Sequence, residues 1–233
     1  VKVILYLSIR NQGDLRMPIL TKENRKYLIT YETLNAVTHG LGVLAAVVGA
    51  TLLLWESMHA NFNWFTMAAL WIYAISIITF LLASTLFHAL VFTKAGKIFQ
   101  FLDHSGIYLV ILGSYTPYTW LFLPGKVGWP IWITILLLTI AGIIYDLFFV
   151  GRWPWLSVLI YVIMGWLIIL AFPALHASLT PFAFNLLLAG GITYTLGAGV
   201  YLIPKLPMSH VYWHLFVLGG ATLMYISIFS MLF

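Results

Sequence analysis

Residues 64–91 read WFTMAALWIYAISIITFLLASTLFHALV, a stretch without Asp, Glu, Lys or Arg. A helix needs about 20 mostly apolar residues to cross the hydrocarbon core of a bilayer. The stretch therefore predicts a membrane-spanning helix from Trp64 to Val91. It ends in STLFH, which places Ser84 and His88 four residues apart, one helical turn from each other.

The composition of the whole chain extends this prediction. Of the 233 residues, 63% are hydrophobic and only 7% are charged, and the mean hydropathy is +1.02. Soluble domains carry roughly 25% charged residues, so this chain has too few charges to cover a soluble surface. There is no cysteine, which excludes thiolate metal sites.

Seven apolar stretches are long enough to span a membrane, and turn residues such as Pro124, Gly125 and Pro154 separate them. The fold class predicted is an all-α polytopic membrane protein with a bundle of seven transmembrane helices. The predicted spans are 37–55, 64–91, 99–123, 129–150, 155–172, 182–203 and 210–233.

The distribution of cations predicts the orientation of the bundle. Six of the eleven Lys and Arg residues precede residue 27: Lys2, Arg10, Arg16, Lys22, Arg25 and Lys26. With a cytoplasmic N-terminus, ten cations lie on the cytoplasmic side and only Lys126 lies on the other. We therefore expect a basic cytoplasmic segment over 1–31, a transmembrane domain over 32–233, and a C-terminus outside. The cations mark topology rather than a nucleic-acid surface.

Ionisable residues inside membrane spans are costly and usually functional. In the predicted topology, His59 and His176 fall in outside loops and are interpreted as solvated. The other five histidines and Asp103 lie near the cytoplasmic ends of helices: His39, His88, His104, His210 and His214. This clustering predicts a polar site at that end of the bundle.

The spacing of these residues suggests a metal site. His210 and His214 are four residues apart and face the same way on a helix. With His88 they offer three neutral nitrogen ligands, a pattern typical of catalytic zinc sites with one open position. Asp103 and Ser84 would hold the water beside it. Taken singly, the features have simpler interpretations, since an HxxxH pair also arises by packing and Asp103 is placed to cap a helix.

Four motifs in this order resemble the hemolysin III family, the bacterial branch of the progestin and adiponectin receptor (PAQR) superfamily. They are ETLNAVTHG at 32–40, STLFHAL at 84–90, LDHSGIY at 102–108 and PMSHVYWHLFVLGG at 207–220. The resemblance implies seven helices, a cytoplasmic N-terminus and a zinc ion held by His88, His210 and His214. It places Asp103 and Ser84 beside the zinc. Glu32, Asn35, His39 and His104 also match motif positions and are accessory candidates.

The superfamily includes alkaline ceramidases, so the resemblance implies a zinc-dependent hydrolase of a membrane lipid amide or ester. In this hypothesis Asp103 is the general base and Ser84 orients the water or the aspartate. Two alternatives stay open: a regulator of membrane state with structural zinc, and a lytic pore-forming protein. The nearly apolar spans argue against an aqueous pore within one chain. The location expected is the bacterial inner membrane, with lipid as substrate or ligand.

Overall fold

The chain folds into helices joined by short turns in a computed structural model, which describes residues 22–203 and 206–233. Within these ranges there is no strand, which confirms the all-α class. The helices are α1 Lys22–His59, α2 Trp64–Leu90, α3 Gly96–Pro117, α4 Gly125–Phe149, α5 Pro154–Trp166, α6 Phe172–Ser178, α7 Pro181–Tyr201 and α8 Ser209–Leu232. Residues 1–21 of the predicted basic segment and the predicted cytoplasmic cation Lys205 lie outside the described residues.

Six helical units of the described chain are long and apolar enough to cross a membrane: α1, α2, α4, the α5–α6 unit over Pro154–Ser178, α7 and α8. These confirm a polytopic membrane protein. The seventh unit, α3, is less apolar because its first turns carry Lys97, Gln100, Asp103 and His104. The helical unit that bears the predicted acidic residue is therefore the one without a stretch as apolar as those of the other six.

Helix α1 runs well beyond the predicted span of 37–55, and it continues without a break through residue 31. Its C-terminal extension contains His59, while His176 lies in α6. Both histidines are exposed. The prediction that they lie in loops is therefore wrong, because the helices at that end of the bundle extend further than the apolar runs.

Two helices contain local irregularities. Helix α3 passes at Pro117 into a π-helical turn over Tyr118–Phe122. Helix α5 is followed by a 3₁₀ segment over Leu167–Ala171. The hydroxyl of Tyr115 lies 2.7 Å from the carbonyl oxygen of Met164 and accepts a hydrogen bond from the amide of Ile168 at 2.8 Å. It thus satisfies backbone groups that the break in the helix releases.

Helix α2 packs antiparallel against α1 and α3, and α8 packs antiparallel against α7 and parallel to α1. Small residues allow close approach, as expected between membrane helices. A Cβ atom on Gly113 would collide with Ser76, and one on Gly197 would collide with Phe216. The antiparallel order brings the C-terminus of α2 and the N-termini of α3 and α8 to one end of the bundle, hereafter the histidine end.

At the opposite end, the start of α2, the π-helical turn and the start of α4 meet. Phe65 stacks on Trp120 with ring centroids 5.0 Å apart, and Trp120 also contacts Trp129 and Trp132. These four rings define the aromatic end. The indole N–H of Trp132 donates to the hydroxyl oxygen of Thr116 at 3.0 Å.

Candidate metal centre

Three histidines from two helices meet at the histidine end. His88 lies in the last turn of α2, and His210 and His214 lie in the first two turns of α8. One ring nitrogen from each lies within 4.8 Å of the others. His88 and His214 are buried, while His210 is partly exposed. The structure therefore brings together the three residues that the sequence proposed as metal ligands.

Hydrogen bonds fix the orientation of two of the rings. His88 Nδ1 lies 2.7 Å from the Glu32 carboxylate, and His214 Nδ1 lies 3.2 Å from the carbonyl oxygen of Asn35. Because these oxygens only accept, the Nδ1 atoms carry the protons and the Nε2 atoms keep their lone pairs. His88 Nε2 is buried without a hydrogen-bond partner among the described residues. Such an arrangement is typical of metal-binding histidines.

Helix α1 supplies the groups that support these rings. Besides Glu32 and Asn35, Thr38 lies next to His214, with its hydroxyl oxygen 3.0 Å from Nδ1. The His39 ring stacks on His214 with centroids 3.5 Å apart. Glu32, Asn35 and His39, the accessory candidates of α1, therefore all lie at the site, and Glu32 contacts a proposed ligand directly. Sequence reasoning assigned Glu32 no role because this contact joins α1 to α2.

Asp103 and His104 form a second pair, contributed by α3. Asp103 Oδ2 lies 3.4 Å from His104 Nδ1, which also lies 3.0 Å from the carbonyl oxygen of Gln100. Asp103, His104 and Ser84 line a cavity of about 40 Å³. His210, His214 and His39 line the same cavity. A cavity needs roughly 10–15 Å³ to hold one water molecule, so this space admits water beside the histidines.

Within the described chain, the buried carboxylates Glu32 and Asp103 form no ion pair with a lysine or arginine. Glu32 and Asp103 are 8% and 6% exposed, and their ion pairs within the described chain are with His88 and His104. Buried carboxylates need a compensating charge. A divalent cation between three neutral imidazoles would compensate both carboxylates. The donor set fits zinc, which binds imidazole nitrogen at about 2.0–2.1 Å.

The start of α8 is held in an unusual conformation. Met208, which precedes the helix, has a φ of 58° in the left-handed region. For a residue with a side chain this costs roughly 1–2 kcal/mol. Strained backbone of this kind concentrates at functional sites. Met208 is two residues before His210, a member of the three-histidine group.

A larger apolar cavity of about 130 Å³ lies deeper in the bundle. Its walls come from α2, α3, α5, α7 and α8, and include Tyr115, Trp166 and Leu187. Five residues line both cavities: Phe80, Ile107, Val158, Tyr161 and Trp213. The polar site therefore borders an apolar space inside the bundle.

One buried carboxylate was missed in the sequence. Asp146, in the last turn of α4, is fully buried and accepts a hydrogen bond from Ser105 at 3.4 Å. It belongs to no motif of known spacing. The available signal was the presence of a lone acidic residue inside a span, which is itself an indication of function.

Comparison with known proteins decides the family. The model of the family described as "Haemolysin-III related" matches residues 27–225. The chain belongs to the hemolysin III family. It is 44% identical to "Hemolysin-3" of Bacillus cereus over 84% of this chain and 90% of that protein. It is 37% identical to the "Hemolysin-3 homolog" of Bacillus subtilis (strain 168) over 87% of this chain and 94% of that protein.

A more distant relative is animal. "Monocyte to macrophage differentiation factor" of Rattus norvegicus is 27% identical over 97% of this chain and 96% of that protein. This relation extends over the whole helical bundle and agrees with the assignment of this hemolysin III protein to the PAQR superfamily. The resemblance predicted from the four motifs is thereby confirmed.

Proposed function

We propose that this hemolysin III protein is a zinc-dependent hydrolase that acts on an amide or ester bond of a membrane lipid. One observation carries the proposal: the group formed by His88, His210 and His214 borders a small polar cavity that adjoins an apolar cavity. A lipid with a polar linkage and an apolar chain matches both spaces. A structural zinc site usually has four protein ligands, whereas three leave a position open.

A bound zinc ion supplies Lewis-acid polarisation of a carbonyl oxygen and makes water more acidic. The protein side chains have separate tasks. Asp103, on the wall of the polar cavity, accepts a proton from the attacking water. Ser84 lies on the same wall, and its hydroxyl makes no hydrogen bond of standard geometry among the described residues, so it is available to orient water. Glu32 holds the His88 ring through Nδ1.

The apolar cavity provides the binding space for the lipid chain. Its lining includes Ile111, Val162 and Leu187, and its polar groups are few. Transfer of hydrocarbon from water into an apolar space is favourable by about 0.8 kcal/mol per CH₂. Most of this gain is lost when the lipid chain comes from a bilayer, which is already apolar. The cavity therefore selects by shape more than by affinity, and it orients the scissile bond toward the histidines.

Lipid turnover and metal content of the purified protein test this proposal together. The wild type in lipid nanodiscs should contain one zinc per chain and hydrolyse members of a panel of lipid amides and esters. Asp103→Asn should reduce turnover by about 10²-fold or more, with zinc content unchanged. Glu56→Gln, an exposed acidic position in α1, is the matched control and should retain turnover.

A regulator with structural zinc is the second candidate. The observation that favours it is that the three histidines join α2 to α8, while Glu32 and Asn35 attach α1 to the same group. A wild-type protein that contains zinc, loses thermal stability on chelation and hydrolyses none of the panel would support the regulator and contradict the hydrolase. The almost wholly apolar lining of the larger cavity argues against an aqueous pore within the described part of one chain.

The proposed location is the bacterial inner membrane, with the histidine end facing the cytoplasm. The identity of 44% and 37% to relatives in two Bacillus species supports the bacterial setting. The ten-to-one division of cations supports the orientation. Cysteine accessibility labelling at Lys94 and Lys126 in intact cells tests it, because these positions should label from opposite sides.

A further inference from the structure

Asp146 is the ionisable group that the proposed mechanism leaves unused. It belongs to the buried stripe of α4 that packs inward, formed by Gly128, Ile135, Thr139, Gly142 and Asp146. It is the only charged member of that stripe. Its Oδ1 atom has no hydrogen-bond partner among the described residues, and Oδ2 makes one long contact, with Ser105. An ionised carboxylate in such a place is expensive unless something binds it.

The surroundings of Asp146 are rich in exchangeable protons. The titratable groups near it are Asp103, His104 and Tyr108 from α3, Tyr145 from α4 and Tyr161 from α5. None of these is a lysine or arginine. The cation Arg152 acts on Tyr145 but lies over the rings of Phe149 and Trp153. Among the described residues Asp146 forms no ion pair. The bound species is therefore a proton or a small cation.

Packing favours the proton. Gly142 lies one turn before Asp146, and a Cβ atom there would collide with the Tyr108 ring, which fills the groove between α3 and α4. Divalent cations such as Ca²⁺ and Mg²⁺ take about six or more oxygen ligands. Asp146, Ser105 and the neighbouring tyrosines do not supply that number, and neither of the two cavities is lined by Asp146. A proton needs no such space.

The position of Asp146 connects it to the metal centre. It lies in the last turn of α4, where its carbonyl oxygen accepts from the amide of Val150 at 3.1 Å. Its hydrogen-bond donor, Ser105, directly follows His104, the partner of Asp103. Asp146 and His104 are close enough to interact electrostatically. Asp103, His104 and Asp146 thus follow one another from the wall of the polar cavity to the last turn of α4.

We propose that Asp146 is a proton-exchanging carboxyl group coupled through His104 to Asp103 at the metal centre. Its catalytic consequence rests on the proposed hydrolase function. Hydrolysis breaks the acyl–oxygen or acyl–nitrogen bond, adds the water hydroxyl to the acyl carbon and passes one proton to the leaving group. An amide then ends as carboxylate and ammonium, with no net proton. An ester ends as carboxylate and alcohol, so one proton must leave for each turnover.

Infrared spectroscopy of the full chain in nanodiscs tests the proton-exchange site without any turnover. A pH titration should reveal a band of a protonated carboxylic acid that appears and disappears reversibly. The band should be absent in Asp146→Asn, an isosteric change that keeps an acceptor for Ser105, and present in Glu56→Gln. Its titration midpoint should move in His104→Gln. A band that does not titrate, survives Asp146→Asn or keeps its midpoint in His104→Gln would overturn the proposal.

Turnover gives a second measurement that separates this proposal from the first. Asp146→Asn should slow ester hydrolysis by about tenfold, part of the 10²–10⁴-fold that positioned proton transfer contributes, and should alter its pH profile. Amide hydrolysis and zinc content should change little, and Asp146→Glu should restore the ester rate. Equal slowing of both substrates would contradict the proposed proton balance. If the wild type hydrolyses no lipid, the hydrolase proposal fails, while the infrared titration still decides on Asp146.

Discussion

The two ends of the bundle use buried side chains in opposite ways. At the aromatic end, Phe65, Trp120, Trp129 and Trp132 pack ring against ring. At the histidine end, carboxylates and imidazoles from α1, α2, α3 and α8 occupy a comparable position. Aromatic pairs contribute about 0.5–1.5 kcal/mol beyond their burial, whereas buried charges require partners. The first end stabilises the bundle by packing, whereas the second is the candidate site for binding a metal ion.

Buried polar atoms without a hydrogen-bond partner are also distributed unequally between the two ends. Ten buried side-chain nitrogen and oxygen atoms of the described chain lack a hydrogen-bond partner, and Trp120 Nε1 alone belongs to the aromatic end. Asn35, His39, Ser84 and His88 account for six of the ten, all at the histidine end. Each such atom costs roughly 1–3 kcal/mol. A fold retains this cost where a ligand offsets it, and the following changes test that contrast.

Removal of a ligand should have the largest effect. His88→Ala or His214→Ala takes away one of three neutral nitrogen donors, so bound zinc should fall to near zero in elemental analysis of the purified protein. The exposed His176 provides the control, since His176→Ala changes the same residue type away from the site. Full zinc content in either ligand variant would remove the metal centre from consideration.

Loss of the carboxylate that orients a proposed metal ligand should have the second-largest effect. Glu32→Gln keeps the shape of the side chain but weakens the acceptor at His88 Nδ1, 2.7 Å away. Zinc affinity should fall by about 10–100-fold, as measured by competition with a chelator. Glu23→Gln, an exposed change on the same helix, should leave affinity unaltered. Equal affinities for the two variants would mean that Glu32 does not support a metal ligand.

A smaller loss is expected at Thr38. Thr38→Val removes the hydroxyl oxygen 3.0 Å from His214 Nδ1, but the carbonyl oxygen of Asn35 still accepts from that nitrogen. Loss of a partner that supports a metal ligand lowers metal affinity by roughly tenfold or more. Because the His214 ring keeps its orientation here, zinc affinity should fall by less than that. The same chelator competition measures it. A loss as large as that of Glu32→Gln would show that Thr38, rather than the backbone, orients His214.

The aromatic end should respond in stability alone. Trp132→Phe removes the indole N–H that donates to Thr116. It should lower the free energy of unfolding by about 1 kcal/mol, visible as a reduced Tm in detergent, with zinc content unchanged. Trp129→Phe, at a more exposed ring of the same cluster, is the comparison variant. A change in zinc content here would break the division between the two ends.

The features that could be predicted from the sequence are those that depend on a single helix. The HxxxH spacing of His210 and His214 is fixed by helical geometry, and the apolar runs are fixed by the thickness of a bilayer. Contacts between helices were not predictable in this way. The pairing of Glu32 with His88 depends on how α1 lies against α2. Backbone groups at the break after α5 are bonded by the hydroxyl of Tyr115, a residue of another helix.

Asp146 illustrates the remaining gap. In three dimensions it forms no ion pair within the described chain, and spacing along α4 gives no indication of that. By contrast, Asp103 was found because it lies with five histidines near the predicted cytoplasmic ends of the helices and matches the LDHSGIY motif. The sequence shows Asp146 only as a lone acidic residue inside a span, whereas its burial and its unpartnered oxygen are visible only in the structure.

The placement of the three histidines also has a consequence for biosynthesis. His88 belongs to α2, whereas His210 and His214 belong to α8, and every helix from α3 to α7 lies between them along the chain. Chains are made from the N-terminus, and early segments fold first. The pair on α8 leaves the ribosome long after α2 has entered the membrane. A complete three-nitrogen group therefore exists only in a chain whose α8 has been synthesised, inserted and docked, so metal retention would report on finished assembly.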